Sequence, residues 1–503
     1  MPHYVEPTSI TCEPNHPHPS IISSATSFLS SEPHHPKHTQ MGMGSISEPN
    51  QQTSVLLVTV AAQGHVNPML RLGNLLVSKG LHVTLATHDY ALKHCSNTVG
   101  NIHLEFFSDG LPKNYNRNKP ELFNEYMNSV IKHGPVNLSA LIKSHTRKFS
   151  CIINTPFLPW AADVAADLGL PCAMAWIQPC TIYQIYYYYY NRLHEFPNES
   201  NPNMTVKLPG LPSFCSDELP SFVLPSNTFT TFDSILKEVF HNLHKIKWVL
   251  GNSFMELEND VITSVDKFWP VGPLVPESLF GKLDKLGGDL SGFDSFKSDK
   301  EGDCLEWLDK QEPASVVYIS FGSLILSSEK QIESIACGLK RANRPFIWVV
   351  KLPENQETKQ FKVLEDVKEL GLVVKWCPQT AVLSHRSVGC FLSHCGWNSL
   401  VESIAAGVPV IACPKWSDQP TNAKLVTDVW KVGVKVEKDS EGCFVGEEVA
   451  RCVDEIMSGP RSEEFRKNAA ELKRASREAV ADGGSSDKNI QLFVDELVSS
   501  SFL

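Results

Sequence analysis

The sequence predicts an α/β protein built from two Rossmann-like, doubly wound domains facing across a cleft. Three observations carry that reading. Short, β-branched apolar runs alternate with helical stretches, the alternation has β-α-β spacing in both halves, and a polar, Gly-rich segment separates the halves.

"SVLLVTVAA", from Ser54, is the first strand-like run. The loop "QGHVNP" follows, then "MLRLGNLLVSKG", whose leucines recur at helical spacing and stop at Gly80. Asn67 and Pro68 suit the N-cap and first helical position, which leaves His65 in the preceding loop. "LHVTLAT" completes the unit, and "SCIINTPF" with "LPWAADVAADLGLP" repeats the pattern. These elements define a first domain over residues 51–280. Residues 281–303, including "GKLDKLGGDLSGFDSFKSDKEGD", read as a surface linker. Beyond it, "ASVVYISFGS", "PFIWVVK", "GLVVKW", "VGCFLSHCG" and "VPVIACP" are strand-like runs of a second domain, 304–484. A last amphipathic helix, 485–503, is expected to pack back on the first domain. Residues 1–50 are rich in Pro, His and Ser without hydrophobic period, and read as a disordered extension.

Size and composition narrow the function. The chain has 503 residues, is 42% hydrophobic and carries a net charge of −11, which argues against a nucleic-acid surface. Its 14 cysteines lack zinc-site spacing, so reduced thiols and a cytoplasmic location are expected. No run is apolar enough for a membrane span, and a monomer is expected. The dinucleotide glycine fingerprint, the P-loop and the D-x-D pattern of metal-dependent sugar transferases are all missing from the sequence.

"HCGWNS" and "SDQ" hold the chemistry. In an open α/β sheet, ligands bind beyond the carboxyl ends of the strands, where helix starts present backbone N–H groups. "GCFLSHCG" is such a strand end. The helix starting around Trp397 to Ser399 supplies N–H groups, the Ser399 hydroxyl and the Asn398 amide to an anion, with His394 as a further donor. Gly396 lets the backbone approach closely, and Glu402, one turn on, suits ribose hydroxyls. Taken singly, Asn398 and Ser399 read equally as caps and His394 as a core residue; their joint spacing favours a site for a phosphate and a sugar.

The 44 residues from Trp376 to Gln419 resemble the signature box of plant secondary-product UDP-glycosyltransferases, and the resemblance extends over about residues 54–498. It implies an inverting, metal-independent enzyme of GT-B architecture with a UDP-sugar as co-substrate, no cofactor, and a small-molecule acceptor bound by the first domain. Carried onto matching positions, it makes Trp376 the platform for uracil, with Gln379 beside the base and Glu402 on the ribose. Ser323, His394, Asn398 and Ser399 surround the diphosphate, and Trp397, Asp418 and Gln419 hold the sugar hydroxyls. A terminal Gln in this box implies glucose. His65, just past the first strand, is the expected catalytic base: a neutral imidazole takes the proton of an acceptor hydroxyl as it attacks C1.

One position departs from the family. The aspartate that usually orients the histidine is replaced by Thr155, leaving Asn154 or Thr155 to orient the ring through a neutral hydrogen bond. A carboxylic acid, with a pKa near about 4, arrives already ionised and needs positioning more than deprotonation. "CIINTPFLPW", "ADVAADLGLPCAM" and "AVADGGSSDKNIQLFVDELV" are similar to the branch that makes glucose esters of hydroxycinnamic, indole-acetic and limonoid acids. The expected product is therefore a 1-O-glucose ester, with a phenol or terpenoid alcohol acceptor, or a UDP-sugar binder without turnover, as alternatives. The run Tyr186 to Tyr190, with Tyr183, is expected to send one or two rings to the acceptor.

Overall fold

The computed structural model describes residues 53–93, 98–117, 122–282, 301–322, 328–352 and 362–500. The extension 1–50, most of the linker and Ser323 lie outside them.

The first sheet is formed by β1 (Ser54–Val58), β2 (His82–His88), β3 (Thr98–Val99), β4 (Ile102–Phe107), β5 (Cys151–Asn154) and β6 (Cys172–Trp176), with two later strands described below. The chain then makes a small antiparallel ribbon of β7 (Val206–Lys207) and β8 (Ser213–Phe214). It returns to the sheet through β9 (Ile246–Gly251) and β10 (Phe268–Pro270). The order is β10-β9-β6-β5-β1-β2-β4-β3, parallel throughout except for β3. The second sheet contains β11 (Val316–Ser320), β12 (Phe346–Val349), β13 (Gly371–Val374), β14 (Val388–Ser393), β15 (Val410–Ala412) and β16 (Gly433–Lys435). Its order is β13-β12-β11-β14-β15-β16, all parallel.

Both sheets are buried on both faces, which is why their strands read as continuous apolar runs. In β1, Leu56 and Val58 enter one core and Val55 and Leu57 the opposite one. In β11, Val317 and Ile319 face one side and Val316 and Tyr318 the other. Chain order reverses direction between β1 and β5 in the first sheet and between β11 and β14 in the second. These switch points open clefts at the carboxyl ends of the strands.

The helix Ser485–Ser500 lies on the first sheet. Ile490, Phe493, Val494 and Leu497 enter the core behind β1, Phe493 meets Trp248 edge-on at 5.1 Å, and Glu496 accepts the Trp248 indole N–H at 2.7 Å. Among the described residues no helix is long and apolar enough to cross a membrane.

Two sequence expectations are corrected. The helix Glu301–Asp309 begins inside the segment read as linker. The first helix runs Gln63–Ser78, so it starts at Gln63 and contains Pro68 in its interior. Its first turn closes through the Ala62 carbonyl, which accepts the N–H groups of His65 (2.8 Å) and Val66 (2.9 Å). His65 therefore stands in a helical turn, not in a loop.

Candidate active site

The carboxyl ends of the two sheets line a shared cleft of about 380 Å³. From the first sheet come residues following β1, β5 and β6, among them His65, Phe157 and Gln178. From the second come residues following β11, β13, β14 and β15, among them Trp376, His394, Glu402 and Gln419. The sequence-predicted residues Trp376, Gln379, His394, Gly396, Trp397, Asn398, Ser399, Glu402, Asp418 and Gln419 are all brought to this cleft, opposite His65.

The second-sheet wall is a hydrogen-bonded network. The Tyr318 hydroxyl donates to Gln379 Oε1 at 3.1 Å, and Gln379 Nε2 donates to Ser399 Oγ at 3.0 Å and Glu402 Oε2 at 2.7 Å. Gln379 is thus committed to holding the Glu402 carboxylate and the Ser399 hydroxyl. The His394 ring sits between two glycines: a Cβ at Gly322 would come within 2.7 Å of it, and one at Gly396 closer still. Gly322 also has φ +77°, a conformation that side chains rarely adopt. Burial lowers the His394 pKa to about 4, partly opposed by the Ser320 backbone. The ring is therefore neutral at pH 7 and meets an anion as an N–H donor.

Two residues at the loop ends hold left-handed backbone without being glycine: Cys395 (φ 65°) and Ser417 (φ 60°). Such strain costs of order 1 kcal/mol each and clusters at functional loops. It aims the helix start at Trp397 and the Asp418-Gln419 pair into the cleft. Asp418 Oδ2 accepts from Asn422 at 2.8 Å, with Ser417 and Gln178 as further partners, but desolvation is the larger effect and raises its pKa. Gln419 Oε1 accepts the Lys415 and Trp416 N–H groups at 2.9 and 3.3 Å, leaving its nitrogen as the donor end.

Trp397 corrects the sequence reading. Its side chain is buried, and its indole N–H donates to the Asn252 carbonyl beyond β9 at 2.7 Å. The indole links the helix start of the second domain to the segment after β9, so its N–H is already engaged.

The first-sheet wall is different in kind. His65 Nδ1 has no hydrogen-bond partner, and the ring packs on Phe157 at 4.4 Å. Desolvation lowers its pKa to about 4. The expected orienting groups do not reach it. Asn154 is turned into the end of β5, donating to the Thr155 and Leu158 carbonyls at 3.1 and 3.0 Å, and the buried Thr155 Oγ1 has no partner. Phe157, Phe222, Phe232 and Leu236 give this wall an apolar stretch beside the polar Gln63, Asn67, Arg71 and Gln178, and among the described residues no Asp or Glu of the first domain lines the cleft. Trp416, from the second domain, completes it, 5.9 Å from Phe232 and 6.1 Å from Phe222.

None of the consecutive tyrosines lines the cleft. The helix Cys180–Tyr190 starts at the cleft, but Tyr183, Tyr186 and Tyr190 pack into the core around Phe240. Tyr186 reaches only the back of Phe222, at 6.5 Å. Sequence reasoning missed Tyr318, Gln178 and Trp416. For Trp416 a signal existed, since it directly precedes the "SDQ" already singled out.

Comparison with known proteins decides what this cleft belongs to. The chain is 44% identical to UDP-glycosyltransferase 84B1 of Arabidopsis thaliana over 462 residues, 90% of this chain and 99% of that one. The chain belongs to the UDP-glycosyltransferase family. Residues 296–478 match the family described as UDP-glucoronosyl and UDP-glucosyl transferase. A gallate 1-beta-glucosyltransferase of Punica granatum is 40% identical over 464 residues, covering 88% of each chain. The solved structure of Os79 from O. sativa in complex with UDP superposes with a TM-score of 0.80 at 35% identity, covering 88% of this chain and all of that one. The enzyme is thus a UDP-sugar-dependent glycosyltransferase with the two-domain GT-B fold. Among its described residues no three His, Cys, Asp or Glu side chains are grouped to hold a metal ion.

Proposed function

We propose that this glycosyltransferase moves glucose from UDP-glucose to the carboxylate of a small plant metabolite, giving a 1-O-glucose ester with inversion at the anomeric carbon. The observation that carries this reading is the unpartnered His65 Nδ1, packed on Phe157 with a pKa lowered to about 4 and no carboxylate bonded to it. A base that weak is poorly matched to a phenol or an alcohol, whose proton is held many pKa units more tightly. A carboxylic acid needs no such base. The first-domain wall, with its phenylalanines and no carboxylate among the described residues, accommodates an aromatic anion without like-charge repulsion. The gallate-named relative is consistent, because gallate carries a carboxylate and a 1-β product from an α-linked donor requires inversion.

In this reading the second domain holds the donor and the first the acceptor. Trp376 stacks on uracil, Glu402, held by Gln379, takes the ribose hydroxyls, and His394, Ser399, Asn398 and the helix start at Gly396 bind the diphosphate. Ser323 would join them. Asp418, Gln419 and the Trp397 backbone N–H hold the glucose. The acceptor carboxylate, placed beside neutral His65, attacks C1 from the face opposite UDP; the C1–O bond to the diphosphate breaks, and UDP leaves with the electron pair. Both cleft walls come from one chain, so a monomer suffices, and the unpaired cysteines among the described residues fit a reducing compartment such as the cytoplasm.

The test is product chemistry. Purified enzyme with UDP-glucose and chelator is given a panel of aromatic acids, phenols and terpenoid alcohols. A hexose adduct on an acid, released by mild alkali, is expected. Alkali-stable adducts on phenols or alcohols alone would replace this reading with ordinary O-glucosylation, and donor binding without any product would leave a binding protein.

A further inference from the structure

The first helix contains a proline where a helix is normally intolerant of one. Pro68 is the sixth residue of the helix Gln63–Ser78. In an α-helix the N–H of residue 68 would bond the carbonyl of residue 64, and proline has none. The Gly64 carbonyl is therefore left without its helical donor, one residue before His65 and at the edge of the cleft. Its donor comes from the opposite domain: Asn398 Nδ2, in the first turn of the helix Trp397–Ala406, reaches Gly64 O at 2.9 Å. The two groups abut, since a Cβ at Gly64 would stand 3.8 Å from the same nitrogen. A proline in a helix interior costs more stability than one side-chain hydrogen bond returns, so helix stability does not account for it.

We propose that Pro68 is a positioning residue: by withholding an N–H it hands the Gly64 carbonyl to Asn398 and ties the diphosphate-binding helix start to the turn that carries His65. Asn398 has two amide hydrogens, so one holds Gly64 while the other remains for a phosphate oxygen. Donor binding and the placement of His65 are then coupled across the cleft through one side chain. This inference rests on the reading of His65 as the group beside the acceptor.

The experiment uses the full chain as wild type, Pro68→Ala, Asn398→Ala and the double variant. Turnover is read with the acceptor that gives product in the screen above, UDP affinity and melting temperature are measured separately, and amide exchange is followed over residues 62–67 with and without UDP. Pro68→Ala restores a helical donor, so it is expected to hold or raise the melting temperature and leave UDP affinity unchanged. Its kcat is expected to fall about threefold to tenfold, the worth of one such hydrogen bond. In the Asn398→Ala background the same change is expected to add nothing to the loss in kcat, and exchange at 62–67 is expected to accelerate in Asn398→Ala, which leaves the Gly64 carbonyl without a donor, and to recover in the double variant. An unchanged kcat in Pro68→Ala, or losses that multiply in the double variant, overturns the proposal. If His65→Ala keeps full turnover on a phenol as well as on an acid, the base assignment fails separately; the tie is then judged on exchange, and no acceleration at 62–67 in Asn398→Ala overturns it.

Discussion

The two walls of the cleft are built on opposite plans. On the second-domain wall Tyr318, Gln379, Ser399 and Glu402 satisfy one another before any ligand arrives. On the first-domain wall the His65 imidazole has an unpartnered Nδ1 and packs on Phe157. A fixed polar network suits a ligand that never changes, because its groups pay no reorganisation on binding. A wall of phenylalanines around a neutral imidazole suits a ligand whose recognition is largely shape and whose attacking oxygen brings its own charge.

The sharpest way to break this contrast is His65→Ala. With a phenol as acceptor, where proton removal matters, the loss in kcat is expected to reach about 10²-fold or more, and with a carboxylic acid to be clearly smaller, while UDP affinity stays at the wild-type value. Equal losses on both acceptors would make His65 a proton acceptor for the acid as well. Glu402→Ala should act on the other wall alone. Loss of a charged hydrogen-bonding group, with the Gln379 amide left unsatisfied, is expected to weaken UDP-glucose about tenfold to 100-fold by titration calorimetry, with acceptor KM unmoved.

Trp416 sharpens the comparison because it belongs to the donor domain by sequence and to the acceptor wall by contact. Trp416→Ala is expected to raise acceptor KM about threefold to tenfold with little change in UDP affinity. The smallest effect is with pH. Both His65 and His394 have pKa values lowered to about 4, so both are neutral above that value and gain a charge only below it. Turnover is expected to be flat from about pH 6 to 8 and to fall only below about pH 5. A fall beginning near pH 6.5 would mean that a carboxylate supports His65 after all.

The same contrast explains what the sequence reveals. The second-domain wall is largely legible because most of its polar residues lie in one 44-residue stretch, from Trp376 to Gln419, whose spacing is itself the signal, whereas Tyr318 lies outside it and was missed. The alternation of strands and helices was equally readable, since parallel strands buried on both faces leave continuous apolar runs. The acceptor wall was not legible. Phe157, Phe222, Phe232 and Leu236 come from scattered segments, and in one dimension a pocket-lining phenylalanine is indistinguishable from a core one. The tyrosines of helix Cys180–Tyr190 are packing and surface residues, as five in a row on a helix must largely be, but none of the one or two expected at the acceptor lines the cleft. Pro68 misled because proline favours the first helical position, and the structure places it in the interior, opposite Asn398. Trp397 shows that the side chain of a cleft-lining motif residue can be engaged by the opposite domain.

The most direct measurement is the ratio of kcat/KM for an aromatic acid to that for a matched phenol, in the wild type and in Thr155→Asp. A carboxylate at residue 155 that hydrogen-bonds the His65 ring would raise the imidazole pKa and strengthen it as a base. The expected result is a wild-type ratio well above one that falls at least about tenfold in the variant, through a gain on the phenol with the acid nearly unchanged. A wild type that prefers the phenol, or a variant whose ratio does not move, would contradict the link between the missing aspartate and ester formation.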